Sequence, residues 1–187
     1  MQTPKAWLWA GDEHFLQRIV RVVGGVVRPV VVAARTGQDL PPLPGEVAVV
    51  FDSIAGAGPL AGLATGLAAL AGRCDAAFVA SCDHPLIQDT FVRRMIEQLG
   101  DEPGAIPSDG AETYPLMGVY RLSVASLVEQ MLLESELRVR DFVARCAAAV
   151  VGAAELREAD SQLASLLNVN TQQDYTEALA MLARQRS

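Results

Sequence analysis

The sequence predicts one α/β domain, residues 1–187, built on a three-layer, doubly wound and mostly parallel sheet. Runs of β-branched and other apolar residues alternate with segments of helical period, an order typical of parallel α/β folds. Turn-forming residues separate these segments. The 187 residues are 51% hydrophobic, which suits one domain with one large core.

The first half of the chain alternates strand and helix. Helical periodicity predicts helices over residues 14–23, 60–71 and 89–99. Apolar runs predict strands over residues 29–34, 47–51 and 76–80. The last run has no polar alternation, which indicates a strand covered on both faces. Because strands joined through helices run parallel, we expect a parallel sheet here.

The second half is less regular and predicts a mixed sheet. Its predicted strands cover residues 105–107, 115–120 and 149–152. Its predicted helices cover residues 124–133, 138–147 and 172–184. Thr171 is the expected N-cap of the last helix, with Asp174 at its third position.

Charge and composition exclude several classes of protein. A net charge of −7 and a pI near 4.8 give no basic surface for nucleic acid, so we expect a small ligand. Residues 53–72 lack charge over about the length of a membrane span. That segment is dominated by alanine and glycine and contains Pro59, so we expect a helix packed on a sheet and no membrane.

The cysteines indicate a reducing compartment. Cys74, Cys82 and Cys146 are odd in number and show no C-x-x-C spacing, which favours reduced thiols in the cytoplasm. Residues 1–9 show no secretory signal pattern.

Two acids follow predicted strands directly. Asp83 lies in Ser81-Cys82-Asp83-His84-Pro85 after the strand at 76–80, and Asp52 follows the strand at 47–51. Ligands of open α/β sheets bind at such carboxyl ends, and Mg²⁺ takes one or two carboxylates together with phosphates. The alternative is that each acid caps a helix. Acids at two strand ends favour ligand binding, while His84 is interpreted as a turn residue.

Lys5 is the only lysine, and every other basic residue is arginine. A compact ammonium can reach phosphate oxygens that the planar guanidinium fork does not fit. A solvated terminal side chain is the alternative interpretation.

A competing motif favours a different function. Gly56-Ala57-Gly58-Pro59-Leu60-Ala61 matches G-x-G-x-x-A, and Asp83 follows at about the spacing of a dinucleotide-binding fingerprint. Pro59 removes an amide that could bind phosphate, and a Tyr-x-x-x-Lys pair is impossible with the single lysine at position 5. An NAD-binding oxidoreductase is therefore the less favoured alternative.

Taken together and in this order, Lys5, Asp52, Gly58-Pro59-Leu60-Ala61-Gly62 and the Ser81–Pro85 element resemble molybdenum cofactor guanylyltransferases. The resemblance extends from Thr3-Pro4-Lys5-Ala6 to Asn168-Val169-Asn170-Thr171. It implies a nucleotide-diphospho-sugar-transferase-like fold. Relatives that transfer cytidylate are less similar around Asp83.

The resemblance also implies an activity. Mg²⁺ and GTP bind at the strand ends, the terminal phosphate of molybdopterin cofactor attacks the α-phosphate, and pyrophosphate leaves. Other proteins of molybdenum cofactor biosynthesis, or molybdoenzymes, are implied as transient partners. The implied site residues are Lys5 and Asp83 for catalysis; Lys5, Asp52, Gly58, Gly62 and Asp83 for GTP; Asp83 for the metal; and Asn168 and Asn170 on the molybdopterin side. For the two asparagines, closing the turn before the last helix is an alternative of equal weight.

The chain departs from this family at its start. The family usually begins with a strand and the loop L-A-G-G-x-S-x-R-M-G-x-D/P-K, whereas this chain begins within that motif, at Met1-Gln2-Thr3-Pro4-Lys5. We therefore expect a shortened domain in which loss of the glycine-rich loop impairs phosphate binding. Because the later motifs are intact, a start placed too late is favoured over a nucleotide-binding homologue without turnover.

Overall fold

The computed structural model describes residues 3–52 and 58–185. Its strands are β1 (Trp9–Ala10), β2 (Glu13–His14), β3 (Val31–Arg35), β4 (Ala48–Asp52), β5 (Ala76–Phe78), β6 (Gly104–Pro107), β7 (Val119–Arg121) and β8 (Ala149–Val151). Its α-helices are α1 (Phe15–Gly24), α2 (Gly58–Leu70), α3 (Asp89–Glu97), α4 (Ala125–Leu133), α5 (Val139–Cys146), α6 (Ala153–Arg157) and α7 (Gln172–Gln185). The six helices expected from periodicity are confirmed, whereas the short β1–β2 hairpin and α6 were not predicted.

The strands of the described residues form separate hydrogen-bonded groups. β3 and β4 pair in parallel, with Val31 opposite Ala48 and Arg35 opposite Asp52. The other main sheet has the order β5-β7-β6-β8, in which β7 is antiparallel to both of its neighbours and β6 is parallel to β8. The parallel pairing of β3 with β4 and the mixed sheet in the second half are as predicted. The prediction is wrong for β5, which was expected to join the same parallel sheet but pairs antiparallel with β7.

Two helices hold the two main sheets together. Leu16 and Val20 of α1 pack with Val32 of β3, while Ile19 and Val23 of the same helix belong to the cluster that includes Phe78 of β5. On the opposite face α2 contacts β3 and β4 and shares a cluster with Ala77. The layers are therefore helix, sheet and helix.

Strand β5 is covered on both faces, as predicted, but its residues are only half-buried. Ala76 and Phe78 pack on the α1 side and Ala77 on the α2 side. Among the described residues β5 pairs with β7 alone, so its second edge is open. The exposure of Ala76 to Phe78 follows from this free edge.

One predicted strand is wrong in its first part. Residues 115–120 were expected to be extended, but Pro115–Met117 form a 3₁₀ turn and β7 begins only at Val119. Proline at the start of this turn fits the fixed φ angle that a helical turn requires. Gly118 lies between the turn and the strand and approaches the backbone of β6 closely.

The first described residues are anchored against the last helix. Leu8, Ala10 and Phe15 share a buried cluster with Ala178 and Leu182 of α7. This packing brings the segment before β1 next to the segment before α7.

The described residues contain no membrane-spanning helix, and the three cysteines are unpaired. Within residues 3–52 and 58–185, no helix combines the length and apolar character that a bilayer crossing needs. Residues 58–70 of the uncharged segment form α2. Cys74, Cys82 and Cys146 are free thiols.

We expect Gly118→Ala to lower the free energy of unfolding by about 1–3 kcal/mol. A Cβ at this position would lie 2.7 Å from the Ala105 carbonyl oxygen, which belongs to a paired strand and cannot move aside easily. Urea unfolding followed by circular dichroism measures the change. Gly66→Ala is the control, because a Cβ there meets nothing within 4 Å and alanine is the better helix former. Equal stability of the two variants would contradict the close approach at Gly118.

Candidate active site at the end of strand β5

Three polar side chains from distant parts of the chain form one cluster at the carboxyl end of β5. Lys5 Nζ donates to Asp83 Oδ2 at 3.2 Å and to Asn170 Oδ1 at 2.5 Å. The side chains of Lys5 and Asp83 are 29% and 20% exposed. The structure thus brings together three residues selected from the sequence, called here the Lys5–Asp83–Asn170 cluster.

Lys5 is positioned by a 3₁₀ turn that covers Lys5–Trp7. Pro4 precedes this turn, and its carbonyl accepts a hydrogen bond from the Trp7 N–H at 2.9 Å. Ala6 is buried in the cluster that contains Val32 of β3. The turn is therefore fixed to the core on one side, while the Lys5 ammonium reaches Asp83 on the other.

Asp83 is positioned by the loop that follows β5. The loop turns through a hydrogen bond from the His84 N–H to the Ser81 carbonyl, and the Pro85 carbonyl accepts a hydrogen bond from Arg18 Nε of α1. The Val169 N–H donates to the Asp83 carbonyl at 2.9 Å. This last bond links the acid to the segment that carries Asn168 and Asn170.

Asp83 is ionised at neutral pH. Burial raises the pKa of its carboxyl, but a hydrogen bond from Ser81 and, in the acidic range where this carboxyl titrates, the charges of His84 and Lys5 together lower that pKa to below its usual range. Burial lowers the pKa of His84 against the opposing effect of Asp83, so the imidazole is neutral at neutral pH. Lys5 is then the positive charge that faces the carboxylate.

His84 is more than the turn residue that the sequence indicated. Its side chain is 5% exposed, and its Nε2 lies 3.7 Å from Asp83 Oδ1. The ring edge of Tyr114 packs against it, with 5.8 Å between ring centroids. No local pattern could indicate this burial, because a residue that covers His84, Tyr114, comes from a distant segment.

The segment before α7 has the predicted cap. Thr171 Oγ1 accepts from the Asp174 N–H at 3.1 Å, and Asp174 Oδ2 accepts from the N–H groups of Asn170 and Thr171 at 2.9 and 2.7 Å. These bonds fix the backbone that presents Asn170 to Lys5. Asn168 Oδ1 is buried without a hydrogen-bond partner, so a turn-closing hydrogen bond does not account for that oxygen.

Asp52 has no described bond to the Lys5–Asp83–Asn170 cluster. It ends β4, where it is opposite Arg35 of β3, and its carbonyl accepts a hydrogen bond from the Thr36 hydroxyl at 2.7 Å. Consecutive predicted strands carry the two acids, but among the described residues β4 is hydrogen-bonded to β3 and not to β5. Among the described residues no hydrogen bond or ion pair joins Asp52 to the cluster.

The two glycines at the start of α2 differ in their surroundings. Gly58 has a φ of +61°, and no described atom lies within 4 Å of the place where its Cβ would stand, whereas a Cβ on Gly62 would touch Ala33 at 4.0 Å. A left-handed residue favours glycine, and among the described residues the backbone at Gly58 is accessible. Gly56 and Ala57 of the G-x-G-x-x-A motif lie outside the described residues.

The cluster offers oxygen ligands suited to a hard cation. Asp83 Oδ1 is buried and has no hydrogen-bond partner in the described part of the chain, while Oδ2 is held by Lys5. Across residues 3–52 and 58–185 no group of three or more histidine, cysteine, aspartate or glutamate side chains could enclose a metal ion. These residues fit Mg²⁺, which binds one or two protein oxygens and takes its remaining ligands from water and phosphate.

A layered α/β fold with a lysine and an acid at a strand's carboxyl end defines an α/β protein suited to bind phosphate groups together with a metal ion. Residues 1–151 match the family model "MobA-like NTP transferase domain". A protein named "Probable molybdenum cofactor guanylyltransferase" from Pelotomaculum thermopropionicum is 31% identical over all of this chain and 89% of its own length. A protein with the same name from Methanothermobacter thermautotrophicus is 33% identical over 93% of this chain and 90% of its own.

A solved structure agrees with these sequence relatives. Molybdopterin-guanine dinucleotide biosynthesis protein A from Archaeoglobus fulgidus superimposes with a TM-score of 0.79 over 98% of this chain and 92% of that protein, at 18% identity. The chain therefore belongs to the MobA-like NTP transferase family, among the molybdenum cofactor guanylyltransferases, and it is an enzyme. The predicted fold class is confirmed, and the oxidoreductase alternative is wrong.

We expect Ser165→Ala to lower the free energy of unfolding by about 1–3 kcal/mol, because it leaves an N–H without its acceptor. Ser165 is fully buried, and its Oγ accepts from the Gln88 N–H at 3.1 Å. Together with the bond from the Val169 N–H to the Asp83 carbonyl, this bond links the loop after β5 to the segment before α7. Thermal or urea unfolding measures the change. Ser126→Ala is the control, since its exposed hydroxyl only bonds to Ser123 within the same helical turn, and equal losses in both variants would refute a special role for Ser165.

Proposed function

We propose that the protein transfers GMP from GTP to molybdopterin cofactor and releases pyrophosphate. Family membership supports the reaction class, and the names of the relatives support the substrates. The single structural observation that supports the proposal is the Lys5–Asp83 ion pair at the carboxyl end of β5.

The reaction needs positioning and charge neutralisation more than a protein nucleophile. A phosphate oxygen of molybdopterin forms a bond to the α-phosphorus of GTP, the bond from that phosphorus to the bridging oxygen breaks, and the electron pair leaves with pyrophosphate. Negative charge builds up on the phosphate oxygens during this exchange. An ammonium in a partly desolvated site stabilises that charge more strongly than it would in water.

In this proposal Lys5 binds the nucleotide phosphates and Asp83 holds Mg²⁺. When bound, Mg²⁺ neutralises phosphate charge and orients the triphosphate. Asp83 suits this role because it is ionised and its Oδ1 accepts no hydrogen bond from the described residues. The compact lysine suits phosphate because its ammonium can adopt several directions on a flexible stem.

The remaining residues are assigned to the two substrates. We assign Asp52, Gly58 and Gly62 to GTP; the open backbone at Gly58 supports a close approach by the nucleotide. Asn168 is assigned to the molybdopterin side, where its unpartnered Oδ1 can accept a hydrogen bond from the substrate. Other proteins of cofactor biosynthesis are proposed to take up the product, with cytoplasmic location following from that role.

We expect Asp83→Asn to remove the enhancement of GTP binding by Mg²⁺, a loss of about tenfold or more in affinity, or roughly 1.4 kcal/mol. Calorimetric titration of GTP with and without Mg²⁺ measures it. Asp75→Asn is the matched control, because Asp75 directly precedes β5 and is exposed. The assignment of Asp83 fails if its variant keeps the Mg²⁺ enhancement.

Turnover is tested separately by measuring pyrophosphate release from GTP or CTP with molybdopterin cofactor as acceptor. We expect release only when GTP, Mg²⁺ and the acceptor are present. Preference for CTP would overturn the nucleotide assignment. Binding of GTP without any release would instead identify a nucleotide-binding homologue without turnover.

A further inference from the structure

We propose that Lys5 and the divalent cation compete for one place, between Asp83 Oδ2 and Asn170 Oδ1, so that metal binding displaces the lysine. The proposal deepens the proposed function, because it concerns the metal that this function requires. It also reassigns Asn170 from the molybdopterin side to the metal.

The Lys5 ammonium lies between two side-chain oxygens that could both bind a metal ion. It is held by one carboxylate oxygen at 3.2 Å and one amide oxygen at 2.5 Å. Carboxylate and amide oxygens are the ligands that hard divalent cations take from proteins. A single cation therefore already bridges the two oxygens.

The two oxygens are presented by well-fixed backbone. The Asp83 carbonyl is bonded to the Val169 N–H, and the Asn170 N–H is bonded to Asp174 Oδ2. Both backbones keep their partners when Lys5 leaves, because none of these bonds involves the lysine. The oxygen pair therefore persists as a preformed partial metal site.

Lys5 and a divalent cation cannot share this place. Two positive charges a few Å apart repel, and a partly buried site screens that repulsion less than water does. Asp83 Oδ1 is buried and unpartnered, so the carboxylate can offer a second oxygen to a metal ion. Once displaced, the ammonium is free to bind the phosphates of the incoming nucleotide.

The test measures metal affinity without nucleotide. Mn²⁺ is titrated into the protein and free Mn²⁺ is followed by electron paramagnetic resonance. We expect Lys5→Met to bind Mn²⁺ about tenfold more tightly than the unmodified protein, since the competing charge is gone. Lys5→Arg keeps a charge and should gain nothing.

Matched variants test whether the gain in Mn²⁺ affinity comes from net charge alone and whether it depends on Asn170 or on the neighbouring Asn168. Arg73→Met removes one exposed charge elsewhere and should leave Mn²⁺ affinity unchanged. In the Lys5→Met background, Asn170→Ala should abolish the tenfold gain, whereas Asn168→Ala should keep it. Equal or weaker Mn²⁺ binding by Lys5→Met would overturn the proposal, and so would a loss caused by Asn168→Ala in place of Asn170→Ala.

A second measurement needs no variant. Lys5 is the only lysine of the sequence, so selective lysine labelling gives one side-chain signal in nuclear magnetic resonance. Addition of Mg²⁺ should shift this signal until the metal site is saturated, and an unchanged signal at saturation would refute displacement. Neither experiment contains GTP. If the metal displaces Lys5 but the protein does not bind GTP, only the proposed substrate is rejected and the competition stands.

Discussion

A partly buried carboxylate at the end of β5 imposes the main constraint on the site. Asp83 is ionised although it is largely withdrawn from solvent, and such a charge is unfavourable unless cations and hydrogen-bond donors surround it. Lys5 supplies the charge and Ser81 a donor. The N-terminal turn and the loop after β5 must therefore meet at this acid.

The core of the protein makes that meeting possible. Helices α1 and α2 pack against both main sheets, which keeps the ends of β3, β4 and β5 on one body. The β1–β2 hairpin packs on α7, which brings the segment before β1 beside the segment before α7. Hydrophobic burial thus positions Lys5 and Asn170, while the hydrogen bonds of the cap and loop set their orientation.

Local patterns predicted the helices and the parallel β3–β4 pair because helical period and β-branched runs are properties of short segments. The cap at Thr171 was equally local. Partners of strands were harder to predict, because they depend on packing between distant residues. Asp52 and Asp83 follow consecutive predicted strands, yet β4 pairs with β3 and β5 with β7. The contact between Lys5 and Asn170 joins residues 165 positions apart, so no sequence period could indicate it.

The same long-range contact gives the sole lysine, at position 5, a role that differs from that of the arginines. In the proposed exchange an ionised Asp83 has a positive neighbour before the metal binds, and that neighbour leaves without disturbing the loop when the metal arrives. Arginine binds carboxylates through a planar fork with two parallel hydrogen bonds, a geometry that resists displacement. Lysine holds the carboxylate as a point charge on a flexible four-carbon stem. It can therefore stabilise the acid before the metal binds and then move to phosphate, which a guanidinium fixed in a fork could do less easily.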